Sequence, residues 1–106
     1  MRERYMRVIL FFDLPVGTEA EKRAYRNFRK GLICRGFLMM QESVYSKIVL
    51  NPAGAKALIA YIKAIKPEAG LIQVLTVTEK QYANMELILG EEQTEVIASS
   101  ERLVIL

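Results

Sequence analysis

Histidine and tryptophan are absent from this 106-residue sequence, and cysteine and aspartate occur once each, as Cys34 and Asp13. Without histidine, one chain cannot supply a Cys/His metal site or a Ser-His-Asp triad. A lone cysteine excludes an internal disulfide, and with no histidine to activate it we expect Cys34 to be an ordinary buried thiol. Several common catalytic classes are therefore excluded.

Long apolar runs are missing as well. The run at 8–12 is far too short to span a bilayer, and no signal-peptide pattern follows the N-terminal arginines. We therefore expect a cytoplasmic protein with no membrane contact. The length suits a single domain over 1–106, in which 91–106 forms a C-terminal extension.

Charge is divided unevenly between the two parts of the chain. Residues 1–66 contain 13 Lys/Arg and 5 Asp/Glu, a net +8, whereas residues 67–106 contain 2 and 7, a net −5. Such a basic front part indicates a polyanionic partner. The hydrophobic fraction of 52% is high beside 25% charged residues, which indicates apolar surface reserved for a protein partner.

The order of apolar patterns predicts an α+β fold. Turn and capping signals divide the chain: Pro15 and Gly17 end the first strand, Thr18 with Glu21 caps a helix, and Asn51 precedes a second. The predicted strands are 5–14, 37–41, 43–50 and 71–78, with a short helix capped by Thr78 and Gln81 and a last strand at 103–106.

This β-α-β-β-α-β order predicts a ferredoxin-like sheet with two helices on one face and an extra C-terminal strand. The other sheet face would be left uncovered, and a second copy packed against it is the simplest cover. We therefore expect a homodimer. Met39, Met40 and Met85 are expected to fill the core.

Asp13 is the first candidate site residue. It ends the first strand beside a Pro-Gly turn, where a carboxylate can bind Mg²⁺ with waters and phosphate oxygens as further ligands. One carboxylate is a sparse site, but two facing copies across a dimer axis would supply a pair. The alternative is a turn-starting aspartate that accepts hydrogen bonds from nearby backbone amides.

A basic face on the first helix is the second candidate. Few acids accompany it, whereas an ordinary solvated helix face usually mixes the two signs. Cations within one arc can follow the phosphates of a nucleic acid, although a solvated face remains the alternative. The candidate nucleic-acid-binding residues are Lys22, Arg23, Arg26, Arg29 and Lys30.

The segment 41–46 is a third feature. Its hydroxyl groups can donate hydrogen bonds to phosphates, and Tyr45 can stack on a base. Alternatively, Tyr45 packs in the sheet face, which composition alone favours.

Three segments, 6–15, 41–47 and 75–81, together resemble CRISPR-associated protein two, in the form found with Cas9-type systems. They read Met-Arg-Val-Ile-Leu-Phe-Phe-Asp-Leu-Pro, Gln-Glu-Ser-Val-Tyr-Ser-Lys and Leu-Thr-Val-Thr-Glu-Lys-Gln. The resemblance extends over nearly the whole chain.

The resemblance implies a ferredoxin-like homodimer that bridges the larger CRISPR integrase subunits and holds double-stranded protospacer DNA during spacer acquisition. It also implies that Asp13 is a Mg²⁺ ligand, catalytic if the protein cuts nucleic acid, since some relatives cut RNA or DNA. It implies that the last strand, Leu103, Val104, Ile105 and Leu106, crosses to the partner's sheet as a dimer contact.

The sequence departs from many relatives at two places. Phe12 stands where a tyrosine often precedes the aspartate, and Met39 and Met40 stand where an arginine can occur. We expect these changes to remove polar groups from near Asp13 and to disfavour nuclease activity.

Three functions are left open. The first is a non-catalytic scaffold in spacer integration. The second is a metal-dependent endonuclease, CRISPR-associated or a toxin-type ribonuclease of the virulence-associated D family. The third, an RNA-binding module, is the weakest, because the aromatic strand signature of RNA-recognition motifs is missing.

Overall fold

The computed structural model describes residues 5–91. In this part of the chain the elements are β1 (Met6–Asp13), α1 (Glu19–Cys34), β2 (Leu38–Gln41), β3 (Val44–Val49), α2 (Pro52–Ile65), β4 (Leu71–Thr78) and α3 (Glu79–Ala83). The predicted order is confirmed from the first strand to the short helix α3. The predicted strand 71–78 agrees with β4, whereas the predictions for the first three strands were one residue too long at one end or at both.

The strands form one antiparallel sheet in the order β2-β3-β1-β4. Strands β1 and β2 run in the same direction with β3 between them, which is the split β-α-β arrangement of a ferredoxin-like sheet. Because β1 is central, its backbone is hydrogen-bonded on both sides, and Val8, Ile9 and Leu10 are all buried. The predicted α+β fold class is therefore confirmed.

Both long helices begin at the predicted caps. The Thr18 hydroxyl accepts a hydrogen bond from the Glu21 amide, and the Glu21 carboxylate accepts one from the Thr18 amide, each at 3.1 Å. At α2, Asn51 Oδ1 accepts a hydrogen bond from the Gly54 amide, and Pro52 takes the first helical position. Gly36, with a φ of 93°, follows α1 in the left-handed conformation that glycine adopts without strain.

Alternate residues of each strand face the two helices and form the core. On β1 these residues are Val8, Leu10 and Phe12, which pack against side chains of α1 and α2. The prediction of two helices on one face is confirmed. The buried cluster consists of Val8, Leu10, Phe12, Phe28, Leu32, Phe37, Tyr45, Val49, Ala55, Leu58 and Ile62.

The opposite sheet face, which α1 and α2 do not cover, is called the open face below. Strand alternation and register assign its residues. They are Arg7, Ile9, Phe11 and Asp13 of β1, Leu38 of β2, Val44, Ser46 and Ile48 of β3, and Leu71, Gln73, Leu75 and Val77 of β4.

Three residues predicted to be buried are exposed: Cys34, Met39 and Met85. Cys34 is the last residue of α1, Met39 lies on the edge strand β2, and Met85 follows α3. Positions at the end of an element or on the sheet edge have fewer neighbours to cover them. The prediction for these three residues was wrong, and Met40 is half-buried.

Among residues 5–91, no helix combines the length and the apolar content that crossing a bilayer requires. The predicted C-terminal strand, residues 103–106, lies outside the described residues, so its role stays a prediction.

Candidate nucleic-acid interface

The five predicted cations share the solvent-facing side of α1. Residues 22, 26 and 29 follow the spacing of one helical row, and residues 23 and 30 lie beside that row. All five are exposed. Lys22 makes an ion pair with Glu19 at 3.5 Å in the first turn, and no ion pair is seen for the other four within residues 5–91. We call this set the basic face: Lys22, Arg23, Arg26, Arg29 and Lys30.

Arg29 differs from its neighbours because its side chain is anchored. Its Nε donates a hydrogen bond of 2.8 Å to the hydroxyl of Tyr45. Tyr45 is only 1% exposed and its ring stacks on Phe12, with centroids 5.6 Å apart. Tyr45 therefore cannot stack on a base, and the alternative of packing in the sheet is the correct one.

Asp13 ends β1 on the open face, where it is exposed. Its neighbour Phe12 points to the opposite side, into the core, where its ring meets those of Tyr25, Phe28 and Tyr45. A tyrosine at position 12 would therefore not lie beside the Asp13 carboxylate. The expectation that Phe12 removes a polar group from near Asp13 was wrong, because adjacent strand residues face opposite ways.

Met39 does not line the Asp13 site either. It pairs with Tyr45 in the register of β2 and β3, so it lies on the helix-covered side of the sheet. The expected effect of the methionines on Asp13 is therefore not supported for Met39. Met40 sits where the register of β2 shifts between Met39 and Gln41.

Asp13 is not joined by two further metal-ligating side chains within the described part of the chain. Within residues 5–91, no group of three or more Asp, Glu, Cys or His side chains could hold a metal ion. Mg²⁺ is usually held by one or two carboxylates together with waters and phosphate oxygens. Asp13 can therefore contribute one ligand, with waters, phosphate oxygens or a carboxylate from another copy of the chain as further ligands.

The open face carries a concentration of exposed apolar side chains. Leu71, Leu38 and Leu75 are each more than half exposed. Soluble monomers seldom expose a contiguous apolar patch of this kind unless it serves as an interface. The exposed apolar residues of the open face are Phe11, Leu38, Ile48, Leu71 and Leu75.

A second exposed apolar segment follows α3, and sequence reasoning missed it apart from the wrong assignment of Met85 to the core. Leu87, Ile88 and Leu89 are 60%, 85% and 91% exposed. The sequence signal is a run of three apolar residues after a short capped helix. The prediction placed the apolar contact with a partner at residues 103–106 instead.

One end of the open face is covered by α3, which is held by Arg7. Arg7 donates from Nε and Nη2 to the two carboxylate oxygens of Glu79, at 3.0 and 2.6 Å. Its guanidinium also lies 3.9 Å from the centre of the Tyr82 ring. The hydrogen bond from Arg7 is the main reason that the pKa of Glu79 lies below its ordinary value. We call this group the Arg7 clamp: Arg7, Glu79 and Tyr82.

The fold and these surfaces define a class of protein: a small ferredoxin-like α+β domain with a cationic helix on one side and, on the other, an apolar sheet face that α3 covers at one end only. The model of the family described as CRISPR associated protein Cas2 matches residues 6–85, and the chain belongs to this family. The predicted family is therefore confirmed.

Relatives named CRISPR-associated endoribonuclease Cas2 cover nearly the whole chain. The protein from Treponema denticola is 55% identical over 101 residues, which are 95% of this chain and 100% of that protein. The protein from Streptococcus mutans UA159 is 50% identical over 101 residues, with 95% and 93% covered. The protein from Ligilactobacillus salivarius is 45% identical over 101 residues, with 95% and 100% covered.

A solved structure described as a crystal structure of Cas2 shares the fold. It superimposes with a TM-score of 0.52 at 20% identity and covers 89% of this chain and 97% of that chain. The fold of the chain and its family therefore agree.

Proposed function

We propose that this protein is a non-catalytic scaffold in CRISPR spacer acquisition, a homodimer that binds double-stranded protospacer DNA and bridges the larger integrase subunits. The observation that carries the proposal is the basic face. Its residues from Lys22 to Arg29 span about 10 Å of helix axis, or roughly three base-pair steps of a duplex. Contacts to phosphates supply affinity with little sequence preference, as capture of DNA fragments of varied sequence requires.

The open face supports the homodimer. Its exposed apolar residues would be removed from water by a second copy packed face to face, at about 25 cal/mol for each Å² of apolar area buried. Asp13 lies on this face, so the same packing can bring two Asp13 carboxylates toward each other. The exposed segment Leu87–Leu89 can extend the interface. Leu103, Val104, Ile105 and Leu106 remain the predicted crossing strand.

A second candidate function, Mg²⁺-dependent cleavage of RNA or DNA, is favoured by the endoribonuclease names of the relatives. Asp13 is the residue that would serve it. Mg²⁺ is held by one or two carboxylates together with waters and phosphate oxygens, so Asp13 fits such a cation as one ligand, and the partner's Asp13 could supply a second. Cleavage would therefore require the Asp13 carboxylate, whereas the scaffold function would not.

The basic face is tested by charge reversal at Arg23 and Arg26. These two arginines are chosen because Arg29 also holds a buried hydroxyl, so its reversal would disturb the core. Arg23→Glu with Arg26→Glu should weaken binding of a 30-base-pair duplex at least tenfold and reduce the salt slope by about two, because two arginines no longer neutralise phosphates.

The matched control is Lys56→Glu with Lys63→Glu, the same charge change at exposed positions of α2. Fluorescence anisotropy from about 50 to 200 mM salt measures both quantities. Equal losses of affinity in the two double variants would show a general charge effect, and the basic face would then not be the DNA-binding surface.

Asp13→Asn separates the scaffold from the nuclease. The change keeps the shape of the side chain and removes the charge that a hard cation needs. A scaffold with this substitution should still dimerise and support spacer insertion in a reconstituted integration reaction, whereas Mg²⁺-dependent cleavage by a nuclease should be lost. Loss of insertion by a folded, dimeric Asp13→Asn protein would contradict the scaffold proposal.

A further inference from the structure

The hydroxyl of Tyr45 is held at a fixed point beneath α1. Its ring lies at 22° to the Phe12 ring, with centroids 5.6 Å apart, and Phe12 meets Phe28 edge to face at 5.4 Å. Tyr45 is 1% exposed. A ring packed in this way cannot change rotamer without displacing its neighbours, so its hydroxyl is a rigid acceptor.

The group that binds this hydroxyl is an exposed cation of the basic face. Arg29 Nε donates to it at 2.8 Å, although Arg29 as a residue is exposed. One end of the guanidinium is therefore fixed to the core. A buried tyrosine hydroxyl needs a hydrogen-bond partner, and here the partner is a side chain of the helix surface.

This bond leaves both terminal amino groups of Arg29 for a ligand. A guanidinium uses its paired donors to bind two oxygens of one phosphate. A mobile arginine on a helix surface loses rotamer freedom when it makes such a contact, which costs affinity. Arg29 has given up part of that freedom before any ligand arrives.

We propose that Tyr45 is a positioning residue that pre-orients Arg29 for bidentate contact with a backbone phosphate of duplex DNA. The inference rests on the proposed DNA-binding function and deepens it. It assigns a distinct part to Arg29 among the five cations: Arg29 makes a directed contact, whereas Arg23, Arg26 and Lys30 have no such anchor within residues 5–91 and act as charges.

The test removes the hydroxyl alone. Tyr45→Phe keeps the ring stack and should weaken binding of a 30-base-pair duplex by the full-length protein by about two- to tenfold, the range expected when one side chain must be ordered on binding. Because the arginine charge remains, the salt slope should stay near that of wild type. Arg29→Gln should lower the slope by about one.

The double variant shows whether Tyr45 acts through Arg29. Tyr45→Phe should have no further effect in the Arg29→Gln background, since the group it orients is gone. Arg29→Lys keeps the charge but lacks Nε and the paired donors, and should bind as weakly as Tyr45→Phe or more weakly. Tyr25→Phe is the control, because it removes a hydroxyl from the same ring cluster but not the one bonded to Arg29.

A readout independent of DNA is the NMR signal of Arg29 Nε–H. It should be protected from hydrogen exchange in wild type and in Tyr25→Phe, and lose that protection in Tyr45→Phe. The inference is overturned if Tyr45→Phe binds DNA as wild type does while Arg29→Gln is weakened, or if the two substitutions are additive. If Arg29→Gln itself binds DNA normally, the contact assigned to Arg29 is wrong, and the Arg23 and Arg26 charge reversal still reports separately on the basic face.

Discussion

Gly70 shows how one residue without a side chain positions the candidate metal ligand. Its φ is 119°, and a Cβ built there would lie 2.9 Å from the carbonyl oxygen of Asp13 and 2.6 Å from Leu14 Cδ2. The loop before β4 therefore passes directly against the end of β1. Only glycine allows both the backbone conformation and this close approach.

Replacing Gly70 by alanine should lower the free energy of unfolding by about 1–3 kcal/mol, since it adds a strained φ and a collision with backbone. Gly90→Ala is the matched control, because Gly90 has a φ of 103° but no heavy atom within 4 Å of an added Cβ. Urea unfolding measures both variants. A larger loss of unfolding free energy in Gly70→Ala than in Gly90→Ala reports the close approach to Asp13. Equal losses in the two variants would contradict a cost from that close approach.

At the scale of the element, α3 depends on the Arg7 clamp for its position over the open face. The Arg7 side chain is 14% exposed and that of Glu79 is 38% exposed, so solvent screens the ion pair in part. Two guanidinium donors bind the two carboxylate oxygens, and the guanidinium lies over the Tyr82 ring, so the Arg7 side chain fixes the orientation of α3 as a lysine could not. A short helix with no buried residue of its own is held by these contacts.

The lowered pKa of Glu79 makes this contribution depend on pH. A carboxyl whose pKa is depressed in the folded state stabilises the protein above its ordinary pKa and loses that effect as pH falls through the lowered value. Glu79→Gln should therefore cost about 1 kcal/mol or less at pH 7, and wild type and variant should converge at strongly acidic pH. Thermal unfolding at several pH values checks this, and Glu68→Gln is the control. If the difference in stability between wild type and Glu79→Gln were the same at all pH values, the ionised Glu79 carboxylate would not be its cause.

The elements themselves were largely predictable from sequence because their signals are local. Thr18 with Glu21, Asn51 before Pro52, and Thr78 with Gln81 each cap the helix they predict. The exposure of Met39 and Met85 was not predictable in this way. A methionine is equally hydrophobic in the core and at the surface. Whether it is covered depends, for Met39, on the pairing of distant strands and, for Met85, on what packs against the segment after α3.

At the scale of the whole molecule, the open face is the surface that one copy leaves uncovered. If a second copy covers it, Leu75→Glu should place an unpaired charge inside the interface and yield a monomer at micromolar concentration. Val16→Glu, the same kind of change at an exposed apolar residue in the β1–α1 loop, should leave the dimer intact. Sedimentation equilibrium distinguishes them. A Leu75→Glu protein that dimerises as tightly as wild type would exclude this face as the interface.

Residues of the candidate site could be predicted from sequence only where they lie together on one helix or strand. The basic face lies on a single helix, so its five cations followed from helical spacing alone. The bond between Arg29 and Tyr45 joins α1 to β3, and the Arg7 clamp joins β1 to α3 across 72 positions of sequence. Such pairs depend on packing between elements, which residue spacing does not encode.

Strand β1 divides its residues between two tasks, since Leu10 and Phe12 fill the core while Phe11 and Asp13 lie on the open face. Substitutions at one set therefore leave the other set largely undisturbed. Over evolutionary time, relatives could change how they associate, or the ligand they present at position 13, while the interior stayed constant. In protein engineering, the open-face residues of this eight-residue strand can be changed while its core residues are kept.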